Sequence, residues 1–235
     1  MTYGRERKPN SVLLVDYFEH STPEFGERFP KGDSFYSLVD PAFANGDFSG
    51  KWKEHTILYT YNQLPESRIM LVGLGSREEI SPFKIKVAFA YALKTLQKLN
   101  VKCVSTFIDK KCCPEEFREI AEFLAEAAYL SQYRHPSYKK NAPDERPPIE
   151  QIHLILPEGA DEQKISFGIN EGVATGAVVN EVRNMVNKPG NYMTPTAMAN
   201  YAKTTERSFP TVRCEVFSKD EIASMGMGGL IGVSK

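Results

Sequence analysis

Several features that would assign a function are scarce in this sequence. Lys and Arg together number 29 against 30 Asp and Glu, so the net charge of −1 gives no global attraction for a phosphate backbone. The four cysteines show neither Cys-x-x-Cys spacing nor the density of a disulfide-stapled secreted domain. The apolar run at residues 12–15 is too short for a signal-peptide core, and no uncharged apolar run approaches the roughly 20 residues that span a bilayer. We therefore expect a reduced, cytoplasmic protein without membrane or nucleic-acid partners.

The sequence also lacks the short motifs that commonly bring catalytic residues together. A metal site needs several converging ligands, often a helical pair such as His-Glu-x-x-His, and a serine nucleophile needs a turn such as Gly-x-Ser-x-Gly. Neither Ser76 nor Ser234 has that context. The histidines stand singly, at His20, His55, His135 and His153. We expect no catalytic, cofactor-binding or metal-binding residue in this chain.

Three weaker patterns favour ordinary structural roles. The turn at 73–75, Gly-Leu-Gly, lacks the third glycine of Gly-x-Gly-x-x-Gly and the ending of a P-loop, so a tight turn is favoured over phosphate binding. Cys112 and Cys113 precede a predicted helix, where packing is favoured over a reactive thiol. An acidic series is assigned to the solvent-exposed face of that helix, at Glu115, Glu116, Glu119, Glu122 and Glu126.

Hydrophobic periodicity predicts an α/β fold for the first two thirds of the chain. Apolar and alternating runs predict strands at residues 11–16, 55–61, 68–72, 101–109 and 151–156. Between them lie a helix capped by Ser81 with Pro82 in its first turn and a second helix opened by Pro114. The alternation predicts helices covering a largely parallel or mixed sheet. The forty residues after Asp16 have no clear period and stay unassigned.

The pattern changes in the last third. Apolar residues at helical spacing predict a long helix from near Glu162 to before Pro189, and Thr194 with Pro195 predicts the start of the next helix. A strand is expected at 211–217, a short helix at 218–225, and a glycine-rich turn entering an apolar strand at Leu230. These elements read as the beginning of a second unit.

Two segments of this last third resemble the leucyl (cytosol) aminopeptidase family. They are EGVATGAVVNEVRNMVNKPGNYMTPTAMANYAK, from residue 171, and VRCEVFSKDEIASMGMGGLIGVSK, from residue 212. The first contains the family's Arg-x-x-x-Asn, Pro-x-Asn and Thr-Pro elements, at Arg183, Asn187, Pro189, Asn191, Thr194 and Pro195. The second contains its Glu-x-x-x-Met-Gly-Met-Gly element, at Glu221, Met225, Gly226, Met227 and Gly228. Looser matches at 71–75 and 133–140 extend the resemblance over most of the chain.

The resemblance implies three parts and an activity. Residues 1–160 would form an amino-terminal, macro-domain-like α/β domain with a mixed sheet flanked by helices, 161–188 a linker helix, and 189–235 the first elements of a second, truncated α/β domain. The family removes amino-terminal residues from peptides with two divalent ions (zinc, manganese or magnesium), which bind the free amine, polarise the carbonyl and prepare a hydroxide. Its members are typically homohexamers. Because the family's metal ligands follow the position of Lys235, we expect this chain alone to hold no cofactor and to be inactive.

Two other hypotheses stay open. A macro-like domain would bind ADP-ribose or a related nucleotide in loops at its strand ends, although the poor phosphate-loop match of the turn at 73–75 argues against this. Alternatively, the domain would shape the surface of the oligomer or limit access to the active site. Some family members contact DNA, but this sequence has no basic patch that would support such contact. Peptide substrates are expected only for the parent, the full-length protein of which this chain would be the amino-terminal portion.

Overall fold

A six-stranded sheet forms the centre of the first part of the chain. The computed structural model describes residues 1–9, 11–19, 29, 32–108, 117–135 and 147–233. The strands are β1 (Thr2–Gly4), β2 (Val12–Phe18), β3 (His55–Tyr59), β4 (Arg68–Gly75), β5 (Cys103–Phe107) and β6 (Gln151–Ile155). Their order in the sheet is β1-β6-β5-β2-β4-β3. The edge strand β3 runs antiparallel to β4, and the other described pairs are parallel. The prediction of a largely parallel or mixed sheet is confirmed.

Both faces of this sheet are covered, which explains why its central strands are apolar along their whole length. Successive residues of β2 point to opposite faces: Leu14 packs in one hydrophobic cluster and Leu13 in the other. Neighbouring β4 repeats this alternation, with Met70 in the first cluster and Ile69 in the second. Each such fully buried side chain contributes about 1.5–3 kcal/mol to the stability of the fold.

Four helices cover the sheet, and three more follow them. The helices are α1 (Ser34–Ala44), α2 (Pro82–Lys98), α3 (Phe117–Ser131), α4 (Glu162–Asn187), α5 (Pro195–Ser208), α6 (Lys219–Ser224) and α7 (Gly228–Val233). The predicted start of α2 is confirmed, because the Ser81 side chain accepts a hydrogen bond from the Lys84 amide. Residues 109–116, which include the predicted opening of α3 at Pro114, lie outside the described residues. None of the described helices is long and apolar enough to cross a membrane.

The chain divides into two compact units. The first comprises Met1–Arg183 and the second Asn184–Lys235. The first contains the sheet, both hydrophobic clusters, α1 to α3 and most of α4. In the second, no residue from Asn184 to Val233 is buried, so this described stretch has no core of its own.

Two strand predictions in the second unit are wrong. Residues 212–218 form no strand pairing, and the segment around Leu230 is helical, as part of α7. A strand needs a neighbour for its backbone N–H and C=O groups, and the described residues of this unit contain no other strand. A helix satisfies these groups within a single segment, which explains how an apolar sequence there forms α7.

Sequence analysis also left two elements of the first unit unassigned. The short edge strand β1 pairs with β6, and α1 lies within the region that has no clear hydrophobic period. Helix α1 begins at an N-cap, Asp33, whose side chain accepts a hydrogen bond from the Phe35 amide at 2.8 Å. Phe35 and Val39 bury its apolar side in the second cluster.

Candidate functional site

The Gly-Leu-Gly turn at the end of β4 is filled by the chain itself. The amide of Gly75 donates to Gly50 O at 2.9 Å, and the amide of Gly73 donates to Glu54 O at 2.8 Å. A Cβ added at Gly73 would lie 1.9 Å from Lys51 O, and Gly75 has a φ of +74°. The glycines therefore permit close backbone approach and a left-handed turn, as predicted. With both amides already bonded, the turn does not offer them to a phosphate.

The described serine and cysteine candidates lack a catalytic neighbourhood. Ser76 hydrogen-bonds the side chain of Glu78, two residues away on the surface. Cys103 is a free, half-buried thiol whose pKa is raised by burial, the opposite of what activates a nucleophile. Ser234, Cys112 and Cys113 lie outside the described residues.

His55 and His153 lie on different strands of the sheet, His135 follows the end of α3, and His20 lies outside the described residues. His55 is exposed on β3, with Nδ1 3.4 Å from the hydroxyl of Tyr91. His153 is buried on β6, where Nε2 donates to the backbone oxygen of Glu6 at 3.0 Å and Nδ1 lies 3.0 Å from Oγ1 of Thr2. Burial lowers the pKa of His153 and keeps the ring neutral. Its role is to bind the amino-terminal segment to the sheet.

The acidic face of α3 is less solvated than expected. Glu126 has a side chain only 13% exposed, and its carboxylate lies 2.9 Å from Nζ of Lys86 on α2. Arg118 of α3 pairs with Glu171 of α4 and lies 3.5 Å from Glu122. The prediction of a solvated face is therefore wrong for Glu126, because α2 covers that side of the helix and supplies a cation.

A contact that sequence analysis missed joins α3 and α4. Three glycines at four-residue spacing, Gly168, Gly172 and Gly176, lie on the face of α4 that meets α3. An added Cβ would lie 2.1 Å from a carbonyl oxygen of α3 at Gly168 and at Gly172, and 2.6 Å from the Tyr129 Cβ at Gly176. The Gly-x-x-x-Gly-x-x-x-Gly spacing was visible in the sequence and is typical of close helix packing.

The same face of α4 continues into two polar contacts with the end of α3. Asn180 Nδ2 donates to Tyr129 O at 2.9 Å, and Arg183 Nη1 donates to Leu130 O at 3.3 Å. The Arg183 guanidinium also lies 5.4 Å from the ring centroid of Tyr133. Carbonyls in the last turn of a helix have no intrahelical partner and carry partial negative charge. The motif residue Arg183 therefore has a structural role in the first unit.

The motif residues of the second unit mark the ends of its helices. Thr194 accepts a hydrogen bond from the Ala197 amide at 3.2 Å and so caps α5, as predicted. Ser218 and Glu221 form a reciprocal capping box at the start of α6, and these hydrogen bonds lower the pKa of Glu221. Gly226 ends this segment in a left-handed conformation, with a φ of +70°.

These positions bring no metal ligands together. Among the residues that the structure describes, no group of three or more His, Cys, Asp or Glu side chains could hold a metal ion. The described part of the chain therefore does not fit the two-ion centre that the resemblance implies for the parent.

Comparison with protein families gives two matches in chain order. Residues 31–142 match the cytosol aminopeptidase family, N-terminal domain, and residues 180–235 match the cytosol aminopeptidase family, catalytic domain. The second match begins within α4, in the turn that carries Asn180.

Curated relatives align over most or all of the chain. A probable cytosol aminopeptidase of Bacillus subtilis is 29% identical over 241 residues, which are 100% of this chain and 47% of the relative. That of Nitrosococcus oceani is 24% identical over 100% of this chain and 47% of the relative. That of Chlamydia felis is 32% identical over 86% of this chain and 40% of the relative. The chain thus spans about half the length of these relatives.

Solved structures share the fold. A tomato leucine aminopeptidase variant superposes with a TM-score of 0.75 at 19% identity, over 96% of this chain and 46% of that chain. The bottromycin maturation enzyme BotP superposes with a TM-score of 0.65 at 17% identity, over 94% and 42%, and another of its structures contains manganese. The two family matches and the curated relatives show that the chain belongs to the cytosol aminopeptidase family and covers its amino-terminal domain and the beginning of its catalytic domain.

Proposed function

We propose that this chain is the amino-terminal portion of a metal-dependent leucyl aminopeptidase, which removes amino-terminal residues from peptides. The observation that carries the proposal is the ordered pair of family matches, in which the amino-terminal domain of the family is followed by its catalytic domain from residue 180 onwards. The curated relatives that carry the name cytosol aminopeptidase extend to about twice the aligned length.

The second unit supports an incomplete catalytic domain. Tyr192, Phe209 and Leu230 are between 57% and 59% exposed, although each is large and apolar. Exposed apolar surface of this kind is unfavourable in water and typically marks a surface that another part of a protein covers. We propose that the remaining catalytic-domain sequence covers it and that the division into residues 1–160, 161–188 and 189–235 describes the parent.

The metal ions belong to that same proposal. We place the ligands of two divalent ions, which would be zinc, manganese or magnesium, in the sequence that follows in the relatives. Manganese is present in a structure of the fold relative BotP, which supports a metal-dependent parent. This chain alone is then inactive. A cytoplasmic homohexamer with peptide substrates is the assembly that the family resemblance supports.

A nucleotide-binding role is not favoured over this proposal. Its best candidate was the turn at the end of β4, and the amides of Gly73 and Gly75 already donate to backbone oxygens. The macro-like character of the amino-terminal domain stays part of the family proposal and implies no ligand here.

The test is release of leucine from a chromogenic leucyl amide, with and without added manganese. This chain is compared with a version extended through its natural downstream sequence. Activity in the extended version alone is the expected result. Metal-dependent hydrolysis by the short chain would refute the placement of the ligands, and inactivity of both proteins would contradict the proposed peptidase.

A further inference from the structure

Strand β3 lies at one end of the sheet in the first unit. It is the last strand in the order β1-β6-β5-β2-β4-β3, so β4 is its one neighbour among the described strands. The strand at the opposite end, β1, has three residues, whereas β3 has five. An edge strand presents backbone N–H and C=O groups with which another strand can pair. The longer of the two edges is therefore the better candidate for an interaction surface.

The hydrogen bonds with β4 show which backbone groups of β3 point outward. On the β4 side, Glu54 O accepts from the Gly73 amide at 2.8 Å, and the Thr60 amide donates to Ser67 O at 3.3 Å. In an antiparallel pair, successive residues direct these groups alternately towards the neighbour and away from it. Within the described ranges, three residues of β3 therefore point their N–H and C=O groups away from β4 and have no backbone partner there: His55, Ile57 and Tyr59.

This edge lacks the features that usually prevent strand pairing. Natural edge strands are often protected by Lys, by Pro or by a bulge. The sequence of β3, HTILY, contains no Lys, Arg, Asp, Glu or Pro, and its pairing with β4 has no register shift. Large aromatic side chains are also exposed at its end, with Tyr59 55% and Tyr61 80% accessible to solvent. Such an edge favours a partner that adds a strand to the sheet.

The outward groups of β3 are complementary to those of a second copy. A two-fold axis at Ile57 places Ile57 opposite its own equivalent, and places His55 opposite Tyr59 of the second copy. Every outward residue then meets an outward residue, and about six backbone hydrogen bonds form. A shift by two residues would keep only two of these three pairs. The next residues, Lys53 and Glu54, would face positions 61 and 60 of the second copy, which are Tyr and Thr, so no like charges meet.

We propose that two copies of this chain associate through antiparallel pairing of their β3 strands, so that the sheet continues from one copy into the other. A second copy is favoured over an unrelated extended peptide because β3 itself supplies both sides of the ladder, in register and without opposed charges. The contact lies in the amino-terminal domain and uses no metal ligand. It therefore goes beyond the proposed peptidase activity, and its failure would be distinguishable from failure of that activity.

The first test is light scattering of the full chain on a sizing column, at concentrations from about 5 to 200 µM, because an interface of this small size is expected to have a dissociation constant on the order of 10 µM. The measured mass should rise from the 26.5 kDa of one chain towards twice that value. In NMR-detected amide exchange, the outward amides of His55, Ile57 and Tyr59 should exchange more slowly as concentration rises. The amides of Thr56 and Leu58, which face β4, should not change.

Paired substitutions test the register. The double variant His55→Glu with Tyr59→Glu puts two carboxylates opposite each other at both ends of the ladder and should raise the dissociation constant by about tenfold or more. His55→Lys with Tyr59→Glu places opposite charges there and should restore association to within about threefold of the unaltered chain. Both positions are exposed, and position 59 lies opposite Arg68 of β4, so neither variant should lower the melting temperature.

The matched control is Phe167→Glu with Tyr192→Glu. It introduces the same charge change at two exposed aromatic positions outside the sheet and should leave the association unchanged. Loss of association in this control would show that the copies meet through another surface and would overturn the proposal.

Three further results would also overturn it. They are a mass of one chain up to about 200 µM, equal association of the Glu/Glu variant and the unaltered chain, and equal weakening in the Glu/Glu and Lys/Glu variants. Slower exchange of the outward amides only after addition of an extended peptide would assign this edge to a different partner.

Discussion

Replacement of Gly172 by alanine tests whether α3 and α4 pack as closely as the structure shows. In an ordinary helix the change is stabilising by about 1 kcal/mol, because alanine has the higher helix propensity. Here the added Cβ would lie 2.1 Å from Glu122 O and 2.9 Å from the Ala125 Cβ. Neither atom belongs to the end of a flexible side chain, so the two helices must move apart.

The cost of that movement exceeds the gain in propensity. Ordinary van der Waals contact begins at 3.4 Å, so the contact with Glu122 O requires a displacement of 1.3 Å (3.4 − 2.1). Overpacking of this kind costs about 1–3 kcal/mol, and separating the helices also weakens the contacts at Gly168 and Gly176. We expect a net loss of about 2 kcal/mol in the free energy of unfolding, and a melting temperature lower by about 4–8 °C.

Urea denaturation followed by far-ultraviolet circular dichroism measures this difference. Ala174→Gly, at an exposed position of the same helix, is the control and should lose about 1 kcal/mol through propensity alone. Since the two substitutions run in opposite chemical directions, propensity by itself predicts opposite signs. A Gly172→Ala variant more stable than the unaltered chain would refute the close packing.

Two further predictions concern the amino-terminal segment and the end of α4. Burial lowers the pKa of His153 below its ordinary value of 6.5, so the unfolded chain binds a proton more readily than the folded chain. The fold therefore begins to lose stability as pH falls through 6.5, and the loss is complete below the lowered pKa that His153 has in the folded state. In urea titrations, His153→Gln should therefore make the free energy of unfolding depend less on pH between about pH 7.5 and pH 5. An unchanged pH dependence would contradict this role. Arg183→Ala should lower the free energy of unfolding by about 1 kcal/mol and speed amide exchange in the last turns of α4. Arg207→Ala, at an exposed position of α5, should do neither. Equal amide protection in the two variants would argue against the contact between Arg183 and Leu130.

Local signals predicted the elements that have local causes. Ser81 with Pro82 and Thr194 with Pro195 marked the starts of α2 and α5, since an N-cap and a first-turn proline act within a few residues. The apolar runs of β2 and β4 were long enough to indicate buried strands. By contrast, α1 contains a proline, Pro41, and begins next to residues without clear period, which explains why it was missed.

Contacts between distant segments could not be predicted in the same way. Glu126 was assigned to solvent because nothing in the sequence of α3 indicates that Lys86 of α2 lies beside it. The strand predicted at Leu230 was wrong because a short apolar run indicates that burial is favourable but does not show whether a neighbouring strand is available to pair with it. In both cases the missing information is the identity of a neighbour.

The sequence by itself determined the α/β class, the caps of its helices and the family motifs from Arg183 to Gly228, because each depends on residues close together in the chain. Tertiary structure decided how the glycines and backbone amides are used. The glycines of α4 acquire their role only where the carbonyls of α3 approach them, and the amides of Gly73 and Gly75 are occupied only because residues 50–54 fold over them.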